Sequence, residues 1–458
     1  MTAALPGPRQ RFPGDGLVSL TRRPLDFLPQ LKATHGDVAG FAVRRQLIAL
    51  LSHPDDIRDV LVTHARDFRK GRGLERAKML LGEGLLTSEG ETHLRQRRLA
   101  QPAFHRARVA AYGDTMAQYI ERRIATWTAG AVFDLSREMG AYTLAVVGKT
   151  LFDADIEGEA PEIGAALTAS LAAFNFSVLP FSELLLKLPL PVARRFRRAR
   201  LRLDATIYRL IAERRASGAD RGDLLSMLLL AQDEEGGGGG MSDLQLRDEV
   251  MTILLAGHET TANALTWALY LVAGAPAVAA RLRAEVDALG GMSLGAGDVE
   301  RLPYTRAVLA EAMRLYPPAW VVGRRAIAPY VVRGITLPAR SIVLMSQWIV
   351  HRDPRWWPEA DRFLPERWLP GGSAQDPARP RFSYFPFGAG TRVCIGEQFA
   401  WMEGILALAG VSRRWRLEPV ADHPVVPQPI VTLRAKHGVL VRAFPRQPGE
   451  IASGERAS

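Results

Sequence analysis

The sequence predicts a mainly α-helical protein with small β-sheets. The 458 residues are 47% hydrophobic and 23% charged, as expected for a globular chain with a large core. One helical segment, from Ser242 to about Gly274, would be roughly 45 Å long, enough to cross a whole domain. The strand-like segments are short and scattered. We therefore expect a single domain over residues 1–446 and a disordered polar tail over residues 447–458.

The N-terminal half contains most of the predicted short elements. Apolar residues favour strands over Phe41–Leu51, and helical spacing favours helices elsewhere. The predicted helices are Pro54–His64, Leu94–Ala125, the basic segment Arg194–Ser217 and the short Asp223–Gln232. The apolar stretch Leu171–Val192 is interrupted by prolines. It is explained equally well as a pocket lid or as a membrane contact by Leu171–Pro191.

The C-terminal half begins after five glycines, Gly236–Gly240, which predict a flexible link. Ser242 and Gln245 have the spacing of a capping box at the start of the long helix. The remaining predictions are a helix at Leu302–Tyr316 that stops at Pro317-Pro318, strands within Val331–Leu344, a helix at Glu397–Arg414 and a terminal hairpin at Ile430–Phe444 around Gly438.

The net charge of +11 comes mostly from arginine, since only six of the 59 basic residues are lysines. These residues are spread along the chain and form no nucleic-acid reading motif, so nucleic-acid binding is not expected. A local patch that docks an acidic protein remains open. The N-terminus lacks the apolar stretch of a signal peptide, and no apolar run predicts a membrane anchor. We expect a cytoplasmic protein.

The single cysteine, Cys394, lies in the glycine-rich stretch FPFGAGTRVCIG, residues 385–396. Glycine lets a backbone turn tightly and approach a flat group, and amide N–H groups aimed at sulfur favour a thiolate. Arg392 could pair with a carboxylate of a bound group. A shielded thiolate in such a loop suits an axial haem ligand. A buried, inert thiol is the alternative for the cysteine taken alone.

This stretch resembles the haem-binding loop of the cytochromes P-450, the haem-thiolate monooxygenases. The resemblance implies the fold of that family, with a long central helix over haem b. It also implies that Cys394 is the axial ligand of the haem iron, with Phe387 and Gly388 in the haem-binding loop. The continuation Cys-Ile-Gly-Glu-Gln-Phe-Ala is closer to the fatty-acid-hydroxylase-like branches than to the pattern common among bacterial members.

The long helix contains Ala-Gly-His-Glu-Thr-Thr, residues 256–261. Glycine and threonine are poor helix formers, and a threonine hydroxyl can bind a backbone carbonyl and open a groove. A polar patch on a solvated face is the alternative. The stretch resembles the oxygen-activation motif of the family. The resemblance implies that Thr260 hydrogen-bonds iron-bound dioxygen and that Glu259 carries protons inward. Ala256 and Gly257 then border the haem, and Gly257 makes room for the ligand.

Further pairs follow the family order. Glu311 and Arg314 share a helix face, and a Pro-Glu-Arg-Trp stretch ending at Trp368 supplies Arg367, which implies a structural cluster. His93 and Arg97 also share a face. By resemblance they bind a haem propionate, as does Arg324, which we prefer modestly over its neighbour Arg325. With Arg392, these cations would balance two carboxylates.

The resemblance implies a monooxygenase that uses O2 to hydroxylate a lipophilic small molecule, for example a fatty acid, a terpenoid, a steroid-like ring or a macrocycle. The chain has no flavin or nicotinamide fingerprint. Electrons are therefore expected from a ferredoxin or flavodoxin with an NAD(P)H-dependent reductase. The resemblance places the elements beside Arg95, Arg97, Arg98, Arg413 and Arg414 on the proximal face, where these arginines either dock the donor or form a solvated basic surface. A peroxide-using or isomerising haem-thiolate enzyme is one alternative. A haem-based ligand sensor and a haem-free helical protein are more remote.

Overall fold

The computed structural model describes residues 4–446 except 11, 13, 44–45, 156, 178–187, 189, 231–239 and 291–292. The predicted tail and the glycine link, apart from Gly240, therefore lie outside the described residues. Most of the apolar stretch Leu171–Val192 also lies outside them, as do the side chains of residues 171–177.

Helices account for most of the described chain. In chain order they are α1 (Asp15–Arg22), α2 (Pro24–His35), α3 (Pro54–Arg58), α4 (Arg72–Leu81), α5 (Gly90–Ala100), α6 (Arg106–Ala125), α7 (Leu135–Phe152), α8 (Ala160–Ser177), α9 (Pro191–Ser217), α10 (Leu224–Leu230), α11 (Asp243–Ala273), α12 (Pro276–Asp287), α13 (Pro303–Leu315), α14 (Gln347–Val350) and α15 (Glu397–Arg414).

The strands are short and form small sheets. They are β1 (Val38–Val43), β2 (Gln46–Leu51), β3 (Phe68–Lys70), β4 (Val132–Asp134), β5 (Val322–Ala326), β6 (Tyr330–Val332), β7 (Ile335–Leu337), β8 (Ile342–Met345), β9 (Trp415–Pro419), β10 (Pro427–Pro429), β11 (Leu433–Ala435) and β12 (Leu440–Pro445). The largest sheet has the order β1-β2-β8-β5-β3, and a second has the order β4-β12-β9. Two hairpin-like pairs, β6-β7 and β10-β11, complete the described set.

The long helix α11 crosses the core and packs against α7, α13 and α15. Ser242 caps its N-terminus in a capping box with Gln245, as predicted. Gly257 allows the close approach to α7, because a Cβ there would lie 3.1 Å from Cγ2 of Val147. The structure therefore shows a packing reason for this glycine, while its predicted role beside a ligand stays a prediction.

Two local predictions are wrong. Residues 94–125 do not form one helix, because the turn Gln101–Phe104 separates α5 from α6. Pro102 lies in that turn and cannot donate a helical hydrogen bond. Ile430–Phe444 is not a hairpin either, since β11 pairs with β10 and β12 pairs with β9 and β4. Gly438 instead lies against the carboxylate of Asp134, which accepts the N–H of Val439 at 3.0 Å.

Among the described helices, none by itself combines the length and apolarity needed to cross a bilayer. Helices α11 and α12 meet those criteria only as a pair, and the chain bends by 111° between them.

Candidate active site

The loop before α15 holds Cys394 in a tightly folded backbone. The N–H of Cys394 donates to the carbonyl of Phe387 at 2.9 Å, and the N–H of Gly388 donates to Phe385 at 3.0 Å. Gly388 and Gly390 have φ values of 70° and 68°, in the region that favours glycine. A Cβ on Gly390 would also lie 2.1 Å from the carbonyl oxygen of Leu61. These contacts explain why the predicted loop needs its glycines.

Cys394 is a free cysteine and an accessible residue, although the surrounding protein is dense enough for burial to perturb the pKa of its thiol. Burial raises its pKa to about 11, although the N–H of Gly396 and the charge of Arg97 oppose that rise. The expected thiolate is therefore not favoured by the loop alone. Metal coordination removes the proton of a thiol outright, so a deep, accessible thiol still fits an iron ligand.

The middle of α11 is accessible where the rest of the helix is buried. Ala256 is exposed and Thr260 is half-buried, whereas Leu246–Leu255 and Thr261–Leu269 are buried. Ala256 and Thr260 are four residues apart and therefore share a face. The hydroxyl of Thr260 donates to the carbonyl of Ala256 at 2.6 Å. This accessible face has the small residues and the hydroxyl that the sequence predicted for a ligand-binding helix.

Glu259 is held by neighbours other than Thr260. Its Oε1 accepts from Asn263 Nδ2 at 3.2 Å and from Thr432 Oγ1 at 3.0 Å. The carboxylate is half-buried, between the interior and the surface. Transfer of a proton from Glu259 to Thr260 thus requires a side-chain rotation or a bridging water. Neighbouring His258 is buried against Thr143, and burial lowers its pKa.

A second group of predicted residues meets where β3 pairs with β5. The register places Lys70 opposite Arg324, so two cations face each other across the sheet, which is unfavourable unless an anion lies nearby. Arg324 is largely buried, and burial lowers its pKa to about 10. Its neighbour Arg325 instead forms an ion pair with Glu75 at 2.5 Å. Arg324 Nη1 donates only to the carbonyl of Gly323, at 3.0 Å, among the described hydrogen bonds, so Arg324 is the better candidate to bind a carboxylate.

Lys70 was not singled out from the sequence, and only the sheet register identifies it. Its Nζ donates to the carbonyls of Leu85 at 2.9 Å and Ser88 at 2.6 Å, and lies 3.5 Å from His93 Nδ1. Burial and the charge of Arg392 lower its pKa to about 7. His93 is buried as well, with a pKa lowered to about 4, chiefly by burial. Its Nε2 has no hydrogen-bond partner among the described residues.

Arg97 and Arg392 connect this cationic group to the cysteine loop. Arg97 Nη1 donates to the carbonyl of Val393, beside Cys394, at 2.7 Å. Arg392 binds the carboxylate of Glu89, with Nη1 3.1 Å from Oε1. Lys70, Arg324, Arg97 and Arg392 therefore bring four basic groups to this region, where Glu89 and the buried Glu249 are the described carboxyls. A haem carries two further carboxylates, so the buried positive charge and the unpartnered His93 Nε2 fit haem as the predicted cofactor.

The remaining motif residues form a buried cluster of hydrogen bonds around the carboxylate of Glu311. Arg314 binds Glu311 through two hydrogen bonds of 2.8 Å, and Arg367 Nε lies 3.2 Å from Glu311. Both members of the first pair have fully buried side chains. The indole N–H of Trp368 adds a bond of 2.9 Å to Glu311, which phenylalanine could not make. The structural cluster predicted from these motifs is thus present, with no contact to Cys394 among its hydrogen bonds.

Comparisons with known proteins agree with this geometry. The cytochrome P-450 family model matches residues 6–441. Cyclooctatin synthase from Streptomyces melanosporofaciens is 44% identical, over 91% of this chain and 90% of that protein. Cyclooctat-9-en-7-ol 5-monooxygenase from the same organism is 40% identical, over 88% and 87%. Pentalenene oxygenase from Streptomyces avermitilis is 35% identical, over 94% and 95%.

A solved structure, retinoic acid-bound cyanobacterial CYP120A1, shares the fold. It superimposes with a TM-score of 0.87 and 24% identity, over 97% of this chain and 100% of that chain.

Proposed function

The chain belongs to the cytochrome P-450 family, and within that family we propose that it hydroxylates a cyclic terpenoid. As a member, it is a haem b monooxygenase that inserts one oxygen atom of O2 into a C–H bond of a lipophilic small molecule. The substrate class, the electron donor and the residue roles below are our proposal. The accessible Cys394 thiol, beside a cluster of buried cations, is the observation that carries it.

The site residues form two groups, one at the haem iron and one at the haem propionates. Cys394 ligates the iron, while Phe387 and Gly388 shape the loop around the sulfur. His93, Arg324 and Arg97 would bind the propionates, with Arg392 and Lys70 adding positive charge. When bound, the haem supplies the activation of dioxygen and the oxygen transfer.

Helix α11 contributes the residues for proton delivery and the small residues that leave space for a ligand. The hydroxyl of Thr260, which donates to the Ala256 carbonyl in this structure, would be free to turn toward a bound ligand, and Glu259 would bring protons to that hydroxyl. The hydrogen bonds from Asn263 and Thr432 hold Glu259 in position until it transfers a proton. Ala256 and Gly257 keep this face of the helix free of bulky side chains. The packing of Gly257 against Val147 supports a role in helix placement as well.

The relatives' names support the terpenoid proposal. Two of these names include the compound that the enzyme oxidises. One is pentalenene and the other is cyclooctat-9-en-7-ol, an unsaturated alcohol. The family resemblance places Val321, Val322, Ile430 and Val431 near the substrate, and these apolar residues are half-buried and not sealed in the core. Apolar walls favour a lipophilic ligand but select its shape weakly.

We propose a separate ferredoxin or flavodoxin, with an NAD(P)H-dependent reductase, as the electron donor. This sequence contains no flavin or nicotinamide fingerprint, in keeping with this proposal.

The test is a ligand titration followed by product analysis. We expect cyclooctat-9-en-7-ol or pentalenene to displace the iron-bound water of the purified holoenzyme, seen as a shift of its Soret band. With a ferredoxin, its reductase and isotopically labelled dioxygen, the product should carry one labelled oxygen atom. Fatty acids of similar size are the control. Equal or better turnover of the fatty acids would overturn the terpenoid proposal and leave the monooxygenase class intact.

A further inference from the structure

Helix α9 presents a concentrated positive charge to the outside of the protein. Between Pro191 and Leu203 the sequence has six arginines and no acidic residue. Arg200 lies 3.5 Å from Asp204, and Arg202 binds Glu162 at 2.7 Å. The other four are exposed and form no hydrogen bond or ion pair with any residue that the structure describes. We call these four residues the α9 basic face: Arg194, Arg195, Arg197 and Arg198.

Apolar side chains are exposed next to this charge. Leu201 is 68% exposed, more than any other large hydrophobic residue among those described, and Tyr208 is 42% exposed. At 100° per residue, Leu201 lies on the same side of the helix as Arg194 and Arg198. Tyr208 lies on that side as well, about two turns after Leu201. The opposite side is buried through residues such as Leu203, Ile207 and Ile211. The outer side therefore combines arginines with a protruding leucine.

We infer that the outer side of α9 binds the surface of an anionic lipid bilayer. Arginine gains affinity from the negative potential of acidic headgroups, and its aliphatic stem reaches from the interface to the charge. An exposed leucine between arginines loses its contact with water when it enters the headgroup boundary. The surface is independent of the haem site and of the substrate proposed above.

The same charges could in principle attract an acidic protein, but the observations favour lipid. Acidic protein partners are recognised by defined ion pairs, and those need guanidinium groups held in fixed directions. The four arginines of the basic face have no described neighbour that fixes them, whereas buried or paired arginines elsewhere in the protein do. Exposed cations around one apolar side chain suit a fluid anionic surface.

The experiment is vesicle co-sedimentation of the full-length holoenzyme. The vesicles contain either phosphatidylglycerol mixed with phosphatidylcholine or phosphatidylcholine alone. The test variant replaces the basic face with glutamine: R194Q, R195Q, R197Q and R198Q. The matched control, R137Q, R301Q, R362Q and R416Q, removes the same charge from four exposed arginines that have acidic neighbours. Both variants must keep the carbon monoxide spectrum of the parent, which shows that they are folded.

We expect the parent and the control to bind the anionic vesicles, and to bind less as salt rises. The test variant should lose affinity by about tenfold or more. Leu201→Gln should lose about fivefold while keeping the salt dependence. Equal losses in the two quadruple variants would overturn the inference. Binding to soluble polyaspartate as tight as to vesicles, with no effect of Leu201→Gln, would instead identify a docking site for an acidic protein and overturn it too.

Discussion

At the residue scale, Cys394 is the side chain on which the assignment of the cofactor depends. Its surroundings raise the pKa of the thiol, so the free protein holds a neutral sulfur that only a bound metal converts to the anion. A protein that merely buried a cysteine would have no reason to keep the thiol accessible.

Replacing this residue tests the ligand directly. We expect Cys394→Ala to abolish the red-shifted Soret band of the dithionite-reduced carbon monoxide complex, because no other cysteine exists in the chain. Circular dichroism controls for folding. A variant that keeps the thiolate-type band would contradict the assignment of Cys394.

Thr260 has a different predicted role, since its hydroxyl is placed for proton delivery and not for binding haem. Thr260→Ala should retain haem and substrate binding but lower the fraction of electrons recovered in product by about tenfold, with peroxide formed instead. Thr261→Ala is the matched control, because Thr261 lies on the buried side of α11. Full coupling in Thr260→Ala would remove Thr260 from the proton path.

Lys70 leads to a pH prediction. Its pKa is lowered to about 7 in the protein without ligand, and haem carboxylates would raise it. Haem binding then takes up a proton above pH 7, so the contribution of Lys70 to haem affinity is complete below pH 7 and declines as the pH rises. The rate of haem transfer to excess apomyoglobin should therefore increase between about pH 6 and about pH 9.

Two substitutions separate this effect from that of Glu249, a nearby buried carboxyl whose pKa is raised to about 7. Lys70→Met should release haem faster than the parent at low pH, where Lys70 is charged, and should lose most of the pH dependence. Lys70→Arg should retain haem and lose the pH dependence, since arginine stays charged. An unchanged slope in Lys70→Met would assign the pH dependence to Glu249.

These residues also show what the sequence can predict at this scale. The motif around Cys394 and the pair His93 and Arg97 are local in sequence, so their spacing predicts their proximity. Lys70 is 254 residues from its strand partner Arg324, and only the register of β3 with β5 brings them together. The choice between Arg324 and Arg325 likewise depends on an ion pair with a distant residue, Glu75.

At the scale of elements, the buried carboxylate of Glu311 joins α13 to the segment that contains Arg367 and Trp368. Trp368→Phe removes one hydrogen bond but leaves Arg314 and Arg367 bound to the carboxylate. We expect it to lower the free energy of unfolding by about 1 kcal/mol. Glu311→Ala leaves two buried guanidinium groups unpaired and should cost about 3–5 kcal/mol. Urea denaturation of the holoenzyme measures both free energies of unfolding. Equal losses in the two variants would contradict the larger role assigned to the Glu311 carboxylate.

Elements that carry their own end signals could be predicted, and those defined by distant partners could not. Helix α11 has its capping box and α15 begins and ends at the predicted residues, Glu397 and Arg414. The expected hairpin at Ile430–Phe444 does not form because β11 pairs with β10, whereas β12 pairs with β9 and with β4, a strand about 300 residues earlier in the chain. Strand pairing of that kind has no local sequence signal.

At the scale of the whole molecule, the fold was predictable because its motifs occur in the family order along nearly the entire chain. The electron-donor surface is harder to predict, since five arginines were candidates for it. Arg97 turns inward to Val393, and Arg414 Nε lies 2.9 Å from Glu121. Helix α15 is 18 residues long, so Arg414 lies roughly 27 Å along the helix from the end that follows Cys394.

We therefore propose helix α5 as the entry point for electrons, because Arg97 links it to the loop of Cys394 while Arg98 is exposed beside it. We expect Arg98→Glu to slow reduction by an acidic bacterial ferredoxin about three- to tenfold at low salt, and the difference to shrink as salt screens the charges. Arg414→Glu, with the same change in charge, should have a smaller effect. Stopped-flow reduction of the ferric holoenzyme under carbon monoxide measures both rates. A larger effect of Arg414→Glu would place the docking surface at the far end of α15, and electron transfer would then have to cover a path about the length of that helix.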